Sequence, residues 1–270
     1  MHQSASKTTR KEGQDYNPAQ MPLIDIISEA FEIPQLIKTR RITALLPFDY
    51  HETDRRYPVL YLQDGQNLFD DYAPFGSWEL RRQLARLTEK NLGNVIVVAI
   101  DHAEEERIAE FTPSQKTKLG VGDGKNYARF LAETLKPWID LNYRTLPEAE
   151  HTGIGGSSMG GLISIYAVIQ HPELYSRLMI FSPSLWVSPS LTRLFNKVTP
   201  GFSGRIYLYG GRKEGDELIT LLNSFKNSLD RNPNRDFIEV ELNISDYGEH
   251  NENAWGQEFP RALEWLYFKH

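Results

Sequence analysis

Thr152-Gly153-Ile154-Gly155-Gly156-Ser157-Ser158-Met159-Gly160-Gly161, running on into LISIYAVIQ up to Gln170, is the stretch that decides how this chain folds. A short run (TGIG) enters a Gly-x-Ser-x-Gly pentapeptide, Gly156 to Gly160, and a continuous apolar helix-forming segment leaves it. A serine held at the tip of so tight a strand-to-helix bend sits in a strained backbone conformation, so its neighbours must be small. Register selects Ser158, because Ser157 would put Met159 where the second glycine belongs. A random chain of this length shows the pentapeptide about one time in ten. Its meaning therefore comes from the strand before it and the helix after it. The competing explanation is a Gly-rich turn whose serine only caps a helix.

Outward from this bend, short apolar runs alternate with amphipathic segments. Two strand-like stretches, Ile24 to Ile33 and Lys38 to Leu46, are separated at Pro34 and predict an opening antiparallel pair. Runs then fall at Pro58–Leu62, Asn94–Ile100, Thr152–Gly155, Arg177–Phe181, Arg205–Tyr209 and Phe237–Ile244. Most are apolar throughout, as strands covered on both faces must be. Helical patterns lie between and after them, at Trp78–Glu89, Asn126–Lys136, Gly160–Gln170, Asp216–Asp230 and Ala254–Phe268. The alternation predicts an α/β fold with a mainly parallel sheet and helices on both faces. The stretch Asp101–Lys125 reads as one long loop after a strand C-terminus, where such sheets carry their chemistry. Its Gly120–Gly124 run follows a polar loop rather than a strand, so it reads as flexible and not as a dinucleotide fingerprint.

A strand, a sharp serine turn and a helix form the nucleophile elbow of the α/β-hydrolases, in which an acid and then a histidine follow the serine along the chain. Three histidines follow Ser158. His171 precedes Pro172 at a helix end and reads as a cap, and His270 is the last residue. His250, in the polar loop DYGEHNENAW between the last strand and last helix, is left as the candidate base. The acid belongs after Arg205–Tyr209, where Glu214, Asp216 and Glu217 compete. Glu214 is preferred, with Asp216 as the alternative, because acids in a helix's first turn already favour the helix dipole. Oxyanion donors are expected from the N–H of Met159 and, across the segment QDGQNLF, from the N–H of Gln66. An Asx-type bond from Asp64 would suit the same turn. Trp186 and Arg107 are candidate substrate contacts, and His102 lies beside them in the long loop.

The 270 residues hold 30 Lys and Arg against 36 Asp and Glu, a net charge of −6 that argues against nucleic-acid binding. The chain has no Cys, so disulfides, thiolate metal sites and a thiol nucleophile are excluded. Residues 1–20 are polar, without the apolar core of a secretory signal, and read as a poorly ordered arm ahead of one domain over 21–270. No stretch approaches the ~18 apolar residues of a membrane span. A cytoplasmic location with no membrane partner is the expectation. Oligomeric state is not legible.

The segments LYLQDGQNLFD, VVAIDHAEEERIAEFTP, GIGGSSMGGLISIYA, FSPSLW, GGRKEGDELI and GEHNENAW occur in this order. Together they resemble the esterase family that includes enterochelin esterases and related siderophore hydrolases, with feruloyl and acetylxylan esterases and mycolyltransferases as more distant members. The resemblance covers residues 24–268. It implies an α/β-hydrolase fold without a large lid and serine esterase chemistry with no cofactor or metal. It favours Ser158 and His250, supports Gln66 and Met159, and prefers Glu214 to Asp216. A small acyl or carbohydrate acyl ester is the expected substrate, because Arg107, Arg212 and Lys213 are offset by Glu104–Glu106. A siderophore esterase and an acyltransferase on the same site are the alternatives. A non-catalytic protein on a hydrolase fold is the reading from another class.

Overall fold

The computed structural model describes residues 16–70, 73, 75–198 and 201–269. Eight strands form one sheet: β1 (Leu23–Ile33), β2 (Lys38–Leu46), β3 (Val59–Gln63), β4 (Ile96–Ile100), β5 (Thr152–Ser157), β6 (Arg177–Phe181), β7 (Gly204–Gly211) and β8 (Ile238–Ser245), in the order β1-β2-β4-β3-β5-β6-β7-β8. The β1–β2 and β2–β4 pairs are antiparallel, and every pair from β4–β3 to β7–β8 is parallel. The α/β class, the parallel sheet and the antiparallel opening are therefore as the pattern predicts.

The continuous apolar runs are explained by two cores, one on each face. In β3, Val59 and Tyr61 join one core while Leu60 and Leu62 join the other; in β4, Ile96, Val98 and Ile100 oppose Val97 and Ala99. The first face is covered by α3 (Gly124–Arg129), α5 (Met159–Gln170), α6 (Leu191–Val198) and α7 (Asp216–Asp230), and the second by α1 (Leu80–Thr88) and α8 (Glu252–Tyr267). Every residue of α5 from Met159 to Ile169 is buried, so this helix is apolar all round and not amphipathic. At the start of α5, a Cβ on Gly160 would lie 3.0 Å from the Cβ of Gln63, and one on Gly156 would lie 3.0 Å from the carbonyl carbon of Gly160. Only glycines let helix and strand come this close.

Three features differ from the sequence expectation. Asp101–Lys125 is not one loop: it holds a 3-10 turn at Glu104–Glu106 and α2 (Arg107–Phe111). The buried carboxylate of Glu110 anchors that helix, taking both hydrogen bonds of Arg40 at 2.8 Å on β2. Within the Gly120–Gly124 run, Gly120 stands in open space, but Gly122 and Gly124 are tightly packed. Gly122 packs so closely that a Cβ would meet the Thr112 carbonyl at 2.4 Å, and Gly124 donates to the same carbonyl at 3.0 Å. The helix placed at 126–136 runs from Gly124 through a π-helical turn, Phe130–Leu135, into α4 (Lys136–Asn142). In the N-terminal segment, Pro18–Gln20 form a 3-10 turn capped by the Asn17 side chain, while residues 1–15 of the expected arm lie outside the described residues. Among the described residues no helix is long and apolar enough to cross a membrane.

Candidate active site

The C-terminal ends of β3, β4, β5 and β7 bring the candidate residues together. Ser158 follows β5 with φ 54° and ψ −122°, a conformation that non-glycine residues rarely adopt. The bend is held from both sides. The Ser158 N–H donates to the Phe181 carbonyl at 3.0 Å, and the Ser158 carbonyl accepts from Ser184 at 3.0 Å and Leu162 at 3.1 Å. The Ser158 hydroxyl lies 3.3 Å from that of Ser184, and among the described residues no hydrogen bond joins it to His250. Both Ser158 and His250 line one cleft of about 700 Å³, together with Gln63, Asp64, Trp78 and Trp255.

His250 comes from the turn before α8, with its Nδ1 2.6 Å from Glu214 Oε2. The two ends of this pair face different surroundings: the Glu214 side chain is 3% exposed, while that of His250 is 48% exposed and open to the cleft. The other carboxylate oxygen of Glu214 is also occupied. Oε1 accepts the Gly211 N–H at 2.7 Å and the Ser182 hydroxyl at 2.7 Å. Ser182 in turn accepts the indole N–H of Trp255 at 3.0 Å. The Trp255 ring meets the His250 imidazole edge-on, centroids 4.9 Å apart. A ring of contacts thus runs from His250 through Glu214, Ser182 and Trp255 back to His250. Asp216 stands instead at the first position of α7, exposed, where an acid favours the helix dipole.

Gln66 lies in the 3-10 turn Gly65–Asn67 after β3. Its side chain is tied to the loop after β4, since Oε1 accepts the His102 N–H at 2.8 Å. Among the described residues, neither the Gln66 N–H nor the Met159 N–H donates to another protein group. Asp64, just before, is in the left-handed region at φ 60° and makes no Asx cap. Its carboxylate engages Arg107 instead, accepting from Nε at 2.6 Å and from a terminal nitrogen at 2.8 Å. Arg107 therefore lines the cleft with its fork already taken. Trp186 is in the turn Leu185–Val187, 41% exposed, and does not line the cleft, whereas Trp78 and Trp255 do. His102 also lines it, its imidazole pKa lowered chiefly by burial.

Sequence reasoning missed Ser182, Trp255 and Glu252. The first two looked like core or surface residues because their role depends on a hydrogen bond between segments 73 positions apart. Ser182 carried one weak signal, its place just after a strand end in FSPSLW.

The pattern defining the family described as "Putative esterase" matches residues 34–266. This chain belongs to that family. Within the esterase family, similarity extends to the "Uncharacterized protein YbbA" of Bacillus subtilis, 26% identical over 243 residues that cover 85% of this chain and 93% of that one. The ferri-bacillibactin esterase BesA of the same organism is 26% identical over 154 residues, 51% of each chain. Among solved structures, an IroE-like serine hydrolase from Shewanella oneidensis superposes with a TM-score of 0.72 at 20% identity, covering 91% of this chain and 80% of that one. At that identity the likeness establishes the shared hydrolase fold.

Proposed function

We propose that this esterase-family chain, one domain over residues 21–270, hydrolyses carboxylic esters through an acyl-enzyme on Ser158. The observation that carries this reading is the 2.6 Å contact of His250 Nδ1 with the buried Glu214 carboxylate, in the cleft that also holds the strained Ser158. A carboxylate on Nδ1 fixes the tautomer in which Nε2 can accept a proton. His250 takes the Ser158 proton, the alkoxide attacks the ester carbonyl, and the oxyanion is received by the N–H groups of Met159 and Gln66. His250 then protonates the leaving alcohol, and it activates the water that releases the acid. The Ser158 hydroxyl rests 3.3 Å from that of Ser184, and the proton transfer requires it to meet His250 Nε2 instead. No cofactor enters these steps.

A small acyl or carbohydrate acyl ester is the proposed substrate, in the cytoplasm. The ferri-bacillibactin esterase among the relatives favours a siderophore ester as the second reading. The acidic lining of the cleft argues against it, because Arg107 is already paired with Asp64. Turnover of p-nitrophenyl acetate and butyrate by the native chain and Ser158→Ala tests the proposal. Activity should drop by about three orders of magnitude or more in the variant. Equal rates would refute it, and acyl transfer to added alcohols would reveal an acyltransferase on the same site.

A further inference from the structure

Among the described residues, four carboxylates line the cleft, those of Asp64, Glu104, Glu105 and Glu252, against one guanidinium, that of Arg107. Arg107 and Asp64 cancel through their two-point ion pair, in which the Asp64 side chain is only 7% exposed. His102 adds no charge near neutral pH, since burial lowers its pKa. Glu104, Glu105 and Glu252 have no cationic salt-bridge partner among the described residues. Glu252 is half-buried, and burial raises its carboxyl pKa. Among the described residues, the one side chain that donates to it is Asn67, at 3.4 Å.

A second observation points the same way. Asn67 is 8% exposed and lines the cleft, yet among the described residues its amide oxygen has no donor. A buried acceptor without a partner is costly unless a ligand group completes it. An unpaired carboxylate and an unfilled amide oxygen on neighbouring side chains together suit a donor that also carries positive charge. Phe75, 70% exposed on the same cleft, adds an aromatic face of the kind cations favour.

We infer that the cleft selects esters bearing a positively charged nitrogen donor, an ammonium or guanidinium, held between Glu252 and the Asn67 amide oxygen, with Glu104 and Glu105 supplying the attracting field. The inference rests on the ester-hydrolase reading of the same cleft and narrows its substrate. It also gives a physical reason for disfavouring anionic siderophore esters.

The test is kcat/KM for three matched methyl esters: Nα-acetylarginine, its neutral near-isostere Nα-acetylcitrulline, and the anionic Nα-acetylglutamate α-ester. The arginine ester should be cleaved roughly tenfold faster than the citrulline ester, and the glutamate ester slowest, because each uncompensated carboxylate adds a few-fold. The preference should shrink in high salt. Replacing Glu252→Gln, or Glu104→Gln with Glu105→Gln, should lower the arginine-to-citrulline ratio toward one. Using the ratio separates this effect from a general loss of activity in a weakened variant. Equal cleavage of all three esters, or preference for the glutamate ester, would overturn the charge inference while leaving ester hydrolysis standing. Cleavage of none above the Ser158→Ala background, on these esters and on p-nitrophenyl esters alike, would remove the hydrolase reading and this inference with it.

Discussion

The Trp255 indole N–H and the Ser182 hydroxyl are 3.0 Å apart, and through that bond the segment carrying His250 is joined to the carboxylate that His250 meets. Ser182 stands at φ 42° just after β6, its N–H held by the Tyr209 carbonyl at 2.7 Å, so the hydroxyl has a fixed aim. Accepting from Trp255, Ser182 must give its own proton to Glu214. The carboxylate is thereby held in orientation for the imidazole.

Ser182→Ala removes one charged hydrogen bond to Glu214. A hydrogen bond to an ionised group is worth about 1.5–3 kcal/mol, so kcat should fall roughly ten- to a hundredfold with KM little changed. Trp255→Phe keeps a ring against His250 and should cost less. A purely structural role would give additive effects. The positioning role predicts that Ser182→Ala adds little once Glu214→Gln is present, which steady-state kinetics of the double variant reads directly.

The choice of acid is tested by a pair of substitutions. Glu214→Gln should lower kcat by about a hundredfold or more, because the imidazolium loses its partner and the tautomer its constraint. Asp216→Asn, at the exposed start of α7, should leave kcat near that of the native chain. Its effect should appear as a melting-temperature change of a degree or two, from a dipole interaction of about 0.3–1 kcal/mol.

These residues also mark what the sequence discloses. The strand runs and the elbow are legible because burial on both faces enforces continuous apolar strings, and a cramped bend calls for glycine two positions to either side of Ser158. His250 follows by elimination. Glu214 and Asp216 cannot be separated by spacing alone, since two residues decide whether a carboxylate faces the imidazole or a helix terminus. The arginine at 107 illustrates the same limit. A cation beside a cleft looks free for substrate until its partner, Asp64, is found 43 positions earlier. Trp186 and Trp255 are equally aromatic on paper, and only packing distinguishes the exposed one from the one behind the imidazole. Helix α2 escaped because its stability comes from the Glu110 contact with β2 and not from its own periodicity.

That contact has a measurable consequence. The Glu110 side chain is fully buried, paired with Arg40 at 2.8 Å and approached by Lys38 at 3.2 Å. Removing one member of a buried pair leaves an uncompensated charge, so Glu110→Leu should lower unfolding free energy by about 3–5 kcal/mol in urea. The double change Arg40→Leu with Glu110→Leu should recover part of that loss. Because α2 carries Arg107 and Ile108 to the cleft wall, activity in the single variant should decline at temperatures below global unfolding.

Asp101, at the end of β4, has a carboxyl pKa pushed up to about 6, chiefly by burial and only partly countered by Arg41 and Arg40. A group whose pKa is higher folded than unfolded favours the fold below its unfolded value. That benefit disappears as pH rises through about 6. Asp101→Asn should therefore gain melting temperature over the native chain as pH rises from about 5 to 8, with little difference near pH 4. Melting curves across that range check the sign, and a gain confined to acid would contradict it.

The most direct measurement is covalent. Reaction of the folded chain with a fluorophosphonate, followed by peptide mass analysis, should place one adduct per chain on the peptide containing Ser158. His250→Ala should slow that labelling by about two orders of magnitude or more, since the serine loses its base. Labelling at another serine, or labelling of Ser158 at the same rate without His250, would contradict the account.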